Sequence, residues 1–472
     1  MLRFESTRRR LPVAVFGAAV LAAILFPIGA ARAATRMPVG FYDDPSFRWS
    51  PVATQNFVSA QKAGATIVHT LVDWSQIAPT KPKRPLSGSD PAYQLADLDQ
   101  FVQNAAAHGM QVLATITGTP KWANGGRSPN YPPKRLSTLT QFAHMLAARY
   151  NGKQGLGIVT RWSIWNEPNL GRFLAPQYRG KKIVSGATYA KLYLAGYKGI
   201  KAGNRFAQVA AGETSNRGRN RPTGSIGSDT VAPATFAHLV AQANPHLQFS
   251  AWATHPYPSE YRLGPGQKVA YPNVAFSTMS RFGADLKKWF HRSVPVWVTE
   301  YGEQTQPEDK FGGISYARQA TDIKKAMSLA QANPYVQMFI WFIFRDSSSD
   351  TWSSGIEKRS GAKKPGYAGF ASRAHRIDGQ TQTLTRSRAM TVKVAVPVFS
   401  SVDTPGTSIE LSYRLMAGSR VARKGTAIAK LAADQTVTLK LTRPSAKTRY
   451  TLAVTATDDS GETAKRTIAL IP

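Results

Sequence analysis

From residue 37 onward, apolar and polar positions follow two alternating rhythms. Short, nearly continuous apolar runs fall at 39–42, 66–73, 111–117, 159–165, 208–213, 249–255, 294–300 and 336–344. Their length and their β-branched and aromatic content predict strands buried on both faces. Between them, 55–63, 95–107, 137–150, 188–202, 233–243, 277–290 and 316–332 repeat apolar residues every three or four positions, which predicts amphipathic helices. Eight strands separated by seven such helices predict a parallel sheet covered by helices and closed as an α/β (β/α)8 TIM barrel over 34–374. No Gly-x-Gly-x-x-Gly follows the first strand, which argues against a dinucleotide-binding sheet.

The rhythm changes near residue 374. The stretch 375–388 is polar, carries Gly379, Gln380 and several threonines, and reads as a linker. Beyond it, 389–472 alternates with a period of two, as in Thr436-Val437-Thr438-Leu439-Lys440-Leu441, with turn clusters such as Asp458-Asp459-Ser460-Gly461 between segments. That pattern predicts a small all-β sandwich, and it resembles a fibronectin type III or immunoglobulin-like module.

The N-terminus follows neither rhythm. Arg8, Arg9 and Arg10 precede an apolar run at 11–30, and Ala31-Arg32-Ala33 supplies small residues at a cleavage site before Ala34. Pro12, Pro27 and Gly29 interrupt the run, so 1–33 reads as a signal peptide in preference to a membrane anchor, and the protein is expected to be secreted, extracellular or held at the cell envelope. Thr7-Arg8-Arg9 is a partial twin-arginine pattern that leaves the export route open. No later stretch is apolar and long enough for a bilayer span, and a monomer is expected.

Composition narrows the chemistry. The 472 residues contain no cysteine, which excludes disulfides, thiolate metal sites and cysteine nucleophiles. Sixty Lys and Arg against 27 Asp and Glu give +33, and loss of 1–33 removes five arginines and Glu5 to leave +29. Arg217, Arg219 and Arg221 cluster after the fifth strand, with Lys363 and Lys364 near the end of the barrel. Such charge is either a solvated surface or a means of holding an anionic glycan or envelope; nucleic acid is not expected, because no recognition motif is present. His69, His108, His144 and His255 lack the spacing of a zinc site, and no Gly-x-Ser-x-Gly elbow occurs.

Two predicted barrel strands stop on a glutamate. One runs Arg161-Trp162-Ser163-Ile164-Trp165 into Asn166-Glu167-Pro168-Asn169, and the other runs Pro295-Val296-Trp297-Val298-Thr299 into Glu300-Tyr301-Gly302. Barrel enzymes place their reacting groups at these strand ends, and two facing carboxyl groups are what glycoside hydrolysis requires, one protonated and one ionised.

These motifs resemble the clan A glycoside hydrolases, which include cellulases, β-xylosidases and other retaining β-glycosidases. The resemblance covers roughly 38–374 and rests first on Trp-Asn-Glu-Pro-Asn at 165–169. It implies Glu167 as acid/base, Asn166 as a ligand of the sugar 2-hydroxyl and Glu300 as nucleophile. It further implies His255 and Tyr257, in Thr-His-Pro-Tyr-Pro, as strand-six site residues, Tyr257 hydrogen-bonding the nucleophile. Trp341, in Phe-Ile-Trp-Phe, is implied as the floor of the sugar pocket. Trp122 in Gly-Thr-Pro-Lys-Trp-Ala and Asp73 in Asp-Trp-Ser-Gln-Ile-Ala-Pro complete the expected lining, although Asp73 departs from the arginine that several members carry nearby. The implied activity is retaining hydrolysis of β-glycosidic bonds in a poly- or oligosaccharide, with no cofactor and no metal.

Several alternatives stay open on the residues themselves. Glu303 competes with Glu300, His255 has an alternative reading as a group that only orients the site, and Trp341 has one as core packing. A non-catalytic carbohydrate-binding or cell-surface protein on the same scaffold, and a transglycosylase, remain alternatives to the hydrolase.

Overall fold

The computed structural model describes residues 37–258, 263–348, 352–377, 381–383, 388–395, 406–432, 436–457 and 463–471. The segment 1–33, read as a signal peptide, lies outside the described residues.

Eight parallel strands form a closed barrel: β1 (Val39–Tyr42), β2 (Ile67–Asp73), β3 (Gln111–Thr117), β4 (Arg161–Ile164), β5 (Gln208–Thr214), β6 (Ala251–Thr254), β7 (Val296–Val298) and β8 (Val336–Phe342). Neighbours follow chain order around the ring, and β1 pairs with β8 to close it, Val39 opposite Phe339 and Tyr42 opposite Phe342. Buried Asp43 reinforces the seam: its side chain accepts from the backbone N–H of Ser46, Phe344 and Arg345.

The strands divide their side chains by parity, as a pleated ribbon must. Ile67, Leu113, Ala210, Ala251, Ala253, Trp297, Met338 and Ile340 fill the barrel interior, where small alanines oppose large residues. The intervening residues, among them Val68, Val112, Trp162, Trp252, Val298, Phe339 and Trp341, point outward into the layer shared with the helices. Those helices are α1 (Ala53–Lys62), α2 (Ala96–Ala107), α3 (Leu136–Arg149), α4 (Ser185–Gly203), α5 (Pro233–Ala243), α6 (Met279–Trp289), α7 (Tyr316–Ala332) and α8 (Pro365–Ile377). The one-turn helices Asp44–Phe47, Trp74–Ile77 and Lys121–Asn124, and a short hairpin at Tyr178–Arg179 and Lys182–Ile183, sit in the loops above the barrel.

The barrel is followed by an all-β domain of two sheets. One has five strands, β9 (Thr381–Thr383), β11 (Ser408–Ala417), β12 (Arg420–Lys430), β14 (Tyr450–Thr457) and β15 (Thr463–Ile471), and the other pairs β10 (Ala389–Ala395) with β13 (Thr436–Thr442). Alternate residues such as Val392, Leu411, Leu439, Leu452 and Ile468 make its core. Within the stretch expected to be a linker, α8 runs on to Ile377, and Thr381–Thr383 pairs in parallel with the segment from Ala469 to Ile471.

Candidate active site

The carboxyl-terminal ends of the barrel strands surround a cleft of about 1000 Å³. Glu167 reaches it through a sharp backbone departure from β4, in which Trp165 and Glu167 adopt positive φ of 74° and 40°. Neither residue is glycine, so the surrounding contacts must hold the turn. The Trp165 indole is buried and donates to the Phe173 carbonyl at 2.6 Å, and the Glu167 N–H donates to the Glu213 carbonyl at 2.9 Å. Across the cleft, Glu300 follows β7, and Gly302 permits the chain to press on β8: a Cβ there would lie 1.9 Å from the Phe342 carbonyl oxygen.

His255 links the two carboxylates. Its Nδ1 lies 3.0 Å from Oε1 of Glu167 and 3.6 Å from Oε2 of Glu300. Those two oxygens therefore lie no more than 6.6 Å apart, the sum of the two distances. The Tyr257 hydroxyl donates to Oε2 of Glu300 at 3.0 Å. Burial opposes charge on His255, yet the charge of Glu300 and the hydrogen bond and charge of Glu167 outweigh it and raise the imidazole to about 9. At neutral pH His255 is therefore a cation between the two glutamates. Asn166 lines the same cleft; it is 6% exposed and its Oδ1 has no protein partner, so a ligand hydroxyl is the natural donor for it.

Beneath this pair lies a buried relay that sequence reasoning did not find. Thr115 on β3 hydrogen-bonds Oε1 of Glu213 at 2.8 Å. Nε2 of His69 on β2 lies 2.8 Å from the same hydroxyl, and the imidazole tautomer sets which of the two donates. Burial raises the Glu213 carboxyl to about 8 and holds the His69 imidazole down to about 3, the neighbouring His255 charge adding to the latter, so both are neutral at pH 7. Glu213 follows Gly212 in a shifted register at the end of β5, with φ of 49°. The only signal for it in the sequence was a third carboxylate near a strand end.

The expected lining residues divide into two groups. Asn166, Glu167, Tyr257 and Glu300 line the cleft, and His255 lies just beneath them. Trp341 does not: it is fully buried in the outer layer, donates to the Ser354 carbonyl at 3.0 Å and packs edge-on against Tyr301. Strand parity explains this, since Met338 and Ile340 face the interior and Phe342 shares their side. Phe342 and Trp352, with Tyr42, supply aromatic surface to the cleft instead. Trp122 is half-buried against Trp74 and donates to the Ala78 carbonyl, while Asp73 accepts from the N–H and hydroxyl of Ser75 and caps the helix Trp74–Ile77; neither lines the cleft. Glu303 accepts from the buried Tyr301 hydroxyl and is fully buried away from the cleft, which leaves Glu300 as the strand-seven carboxylate that faces it.

Among the described residues, no group of three or more His, Cys, Asp or Glu is arranged to hold a metal ion, and no helix is long and apolar enough to cross a membrane.

The fold is similar to that of solved glycosidases. A family 39 glycoside hydrolase from Bacteroides cellulosilyticus WH2 aligns with a TM-score of 0.53 at 17% identity, over 87% of this chain and 81% of its own. A glucosidase from Croceicoccus marinus aligns with a TM-score of 0.55 at 13% identity, over 88% of this chain and 97% of its own. No curated protein matches the chain significantly. The family model for cellulase, glycosyl hydrolase family 5, matches residues 33–346, and on that match the chain belongs to this family and is a glycoside hydrolase of the retaining, clan A type.

Proposed function

We propose that this is a secreted β-glycosidase that cleaves a poly- or oligosaccharide in two displacements, with Glu300 as nucleophile and Glu167 as acid/base. The observation that carries the assignment is the shared contact of both carboxylates with His255 Nδ1. A ceiling of 6.6 Å between the two oxygens accommodates the roughly 5 to 5.5 Å of retaining enzymes and leaves little of the roughly 6.5 to 9.5 Å that an inverting enzyme needs for its water.

In the first displacement the ionised Glu300 attacks the anomeric carbon, while the carboxylic acid of Glu167 gives its proton to the departing glycosidic oxygen. A glycosyl ester on Glu300 forms and the leaving sugar departs as an alcohol. In the second, the carboxylate of Glu167 takes a proton from water as the water oxygen attacks the same carbon, and the ester bond to Glu300 breaks. The His255 cation is suited to both steps. It faces one ionised carboxylate throughout, Glu300 before attack and Glu167 once Glu300 is esterified, so the buried cluster keeps its net charge. The Tyr257 hydroxyl donates to Oε2 of Glu300 and would hold the carboxylate in the orientation for attack. The Asn166 amide, whose Oδ1 has no protein partner, would bind the hydroxyl beside the anomeric carbon, and we read the C-terminal sheets as a fibronectin III- or immunoglobulin-like module.

The test is Glu300→Ala supplied with azide. A small anion in the vacated space, with Glu167 still present as acid, should yield the glycosyl azide of inverted configuration. An azide product of unchanged configuration, or full turnover without azide, would overturn the assignment of Glu300.

A further inference from the structure

The loops that leave the two strand-end turns carry more than the catalytic groups. Arg172 follows the turn that begins at Glu167, and Arg217 and Arg219 follow β5; all three line the cleft. Among the described lining residues the only carboxylates are Glu167 and Glu300, so this wall of the cleft has an excess of positive charge that its own side chains do not neutralise.

Several arginines elsewhere in the barrel meet a carboxylate. Arg48 meets Asp97, Arg149 meets Asp99, Arg318 meets Asp322 and Arg345 meets Glu357. Arg172, Arg217 and Arg219 meet no carboxylate within 4 Å among the described residues.

Their loops are nonetheless built. Gly171 donates to the Asp229 carbonyl, and the Arg219 N–H donates to the Thr230 hydroxyl, so neighbouring residues hold both loops. Gly218, between the two arginines, lies so close to the next segment that a Cβ would meet the Val231 carbonyl carbon at 2.2 Å. Asn216 donates to the Tyr257 carbonyl, which ties this loop to the residue that hydrogen-bonds Glu300. Three exposed arginines thus project from a hydrogen-bonded loop frame that lines the cleft, the Arg172 guanidinium lying 4.9 Å over the Phe173 ring, and a guanidinium fork matches carboxylate, sulfate or phosphate oxygens.

We infer that the substrate is a β-linked glycan bearing oxyanion substituents, gripped by Arg172, Arg217 and Arg219 in subsites beside the cleaved bond. This inference rests on the glycosidase reading and narrows its substrate class. A uronate, a sulfate ester and a phosphate ester present the same oxygens to the arginines, and the experiment separates them.

The test uses the full chain with Glu300→Gln, which keeps a ligand from being consumed, and isothermal titration with cellohexaose and with its 6-carboxylate, 6-sulfate and 6-phosphate forms. Matched mannohexaose and oligomannuronate form a second backbone. At least one charged form should bind about tenfold or more tightly than its neutral parent at low salt, and the gap should narrow once the Debye length falls to about 8 Å. Arg172→Gln, and separately Arg217→Gln with Arg219→Gln, should bring the charged form down toward its parent. No charged form binding more tightly than its neutral parent would overturn the inference, as would an advantage that survives in both arginine variants. The azide product from Glu300→Ala on an uncharged aryl glycoside uses none of the three arginines, so failure here leaves the glycosidase reading standing.

Discussion

Tyr257→Phe removes the hydroxyl that donates to Glu300 and keeps the ring. The ring would keep its stacking on Tyr301, with centroids 6.0 Å apart at 17°, and its edge contact with Trp352 at 5.7 Å. What goes is the 3.0 Å donation to Glu300 Oε2, in a place where Glu300 is only 8% exposed and water is a poor substitute. A hydrogen bond to a charged group contributes about 1.5 to 3 kcal/mol. That energy has two separable consequences. Stabilisation of the ionised carboxylate is lost, so the acidic limb of kcat/KM against pH should move upward by about one to two pH units. Orientation of the carboxylate is lost too, and the whole bond energy bounds the fall in the pH-independent plateau at about 10- to 150-fold. The assay is kcat/KM across pH with an aryl β-glycoside that the unmodified enzyme turns over, together with the melting temperature, which should change little. A variant whose profile overlays that of the parent would refute the reasoning, and so would a plateau loss matched by a large fall in melting temperature.

Other consequences follow from the same geometry. Glu167→Ala should spare substrates with good leaving groups and cripple those with poor ones, because only the latter need a proton to depart; equal losses on both classes, measured as kcat/KM, would contradict its role. Glu213 keeps its proton in the fold to about pH 8, whereas the unfolded chain releases it near its ordinary carboxyl value of 4.5. Between those values stability should fall with rising pH by about 1.4 kcal/mol per pH unit for this one proton, and Glu213→Gln should remove that slope from denaturant titrations at stepped pH; an unchanged slope would count against a protonated Glu213. Trp341→Ala should cost about 3 to 5 kcal/mol of stability through the cavity it leaves, whereas Trp352→Ala should raise KM with a much smaller loss of stability; the reverse pattern in melting and kinetics would return Trp341 to the sugar site.

The barrel was legible because its strands are buried on both faces and so appear as unbroken apolar runs, and because α5 and α7 repeat apolar residues at helical spacing over their full length. The helices Asp44–Phe47, Trp74–Ile77 and Lys121–Asn124 were not, since four residues cannot display a period of 3.6. Glu167 and Glu300 stood out as carboxylates that end apolar strands. Trp341 misled because an indole beside Phe342 looks like the sugar platform, although the parity of Met338 and Ile340 already assigned the interior side to Phe342. The Thr115, His69 and Glu213 relay was hidden for a different reason. It joins three strands distant in sequence, and Glu213 reaches it only through the register shift after Gly212.

Covalent labelling tests the central claim most directly. The enzyme would be incubated with a 2,4-dinitrophenyl 2-deoxy-2-fluoro-β-glycoside, digested at low pH, and its peptides sequenced by mass spectrometry. The fluorine slows release of the intermediate, so the account predicts a single fluorosugar ester on Glu300. A fluorosugar on Glu167, Glu213 or Glu303 would contradict it.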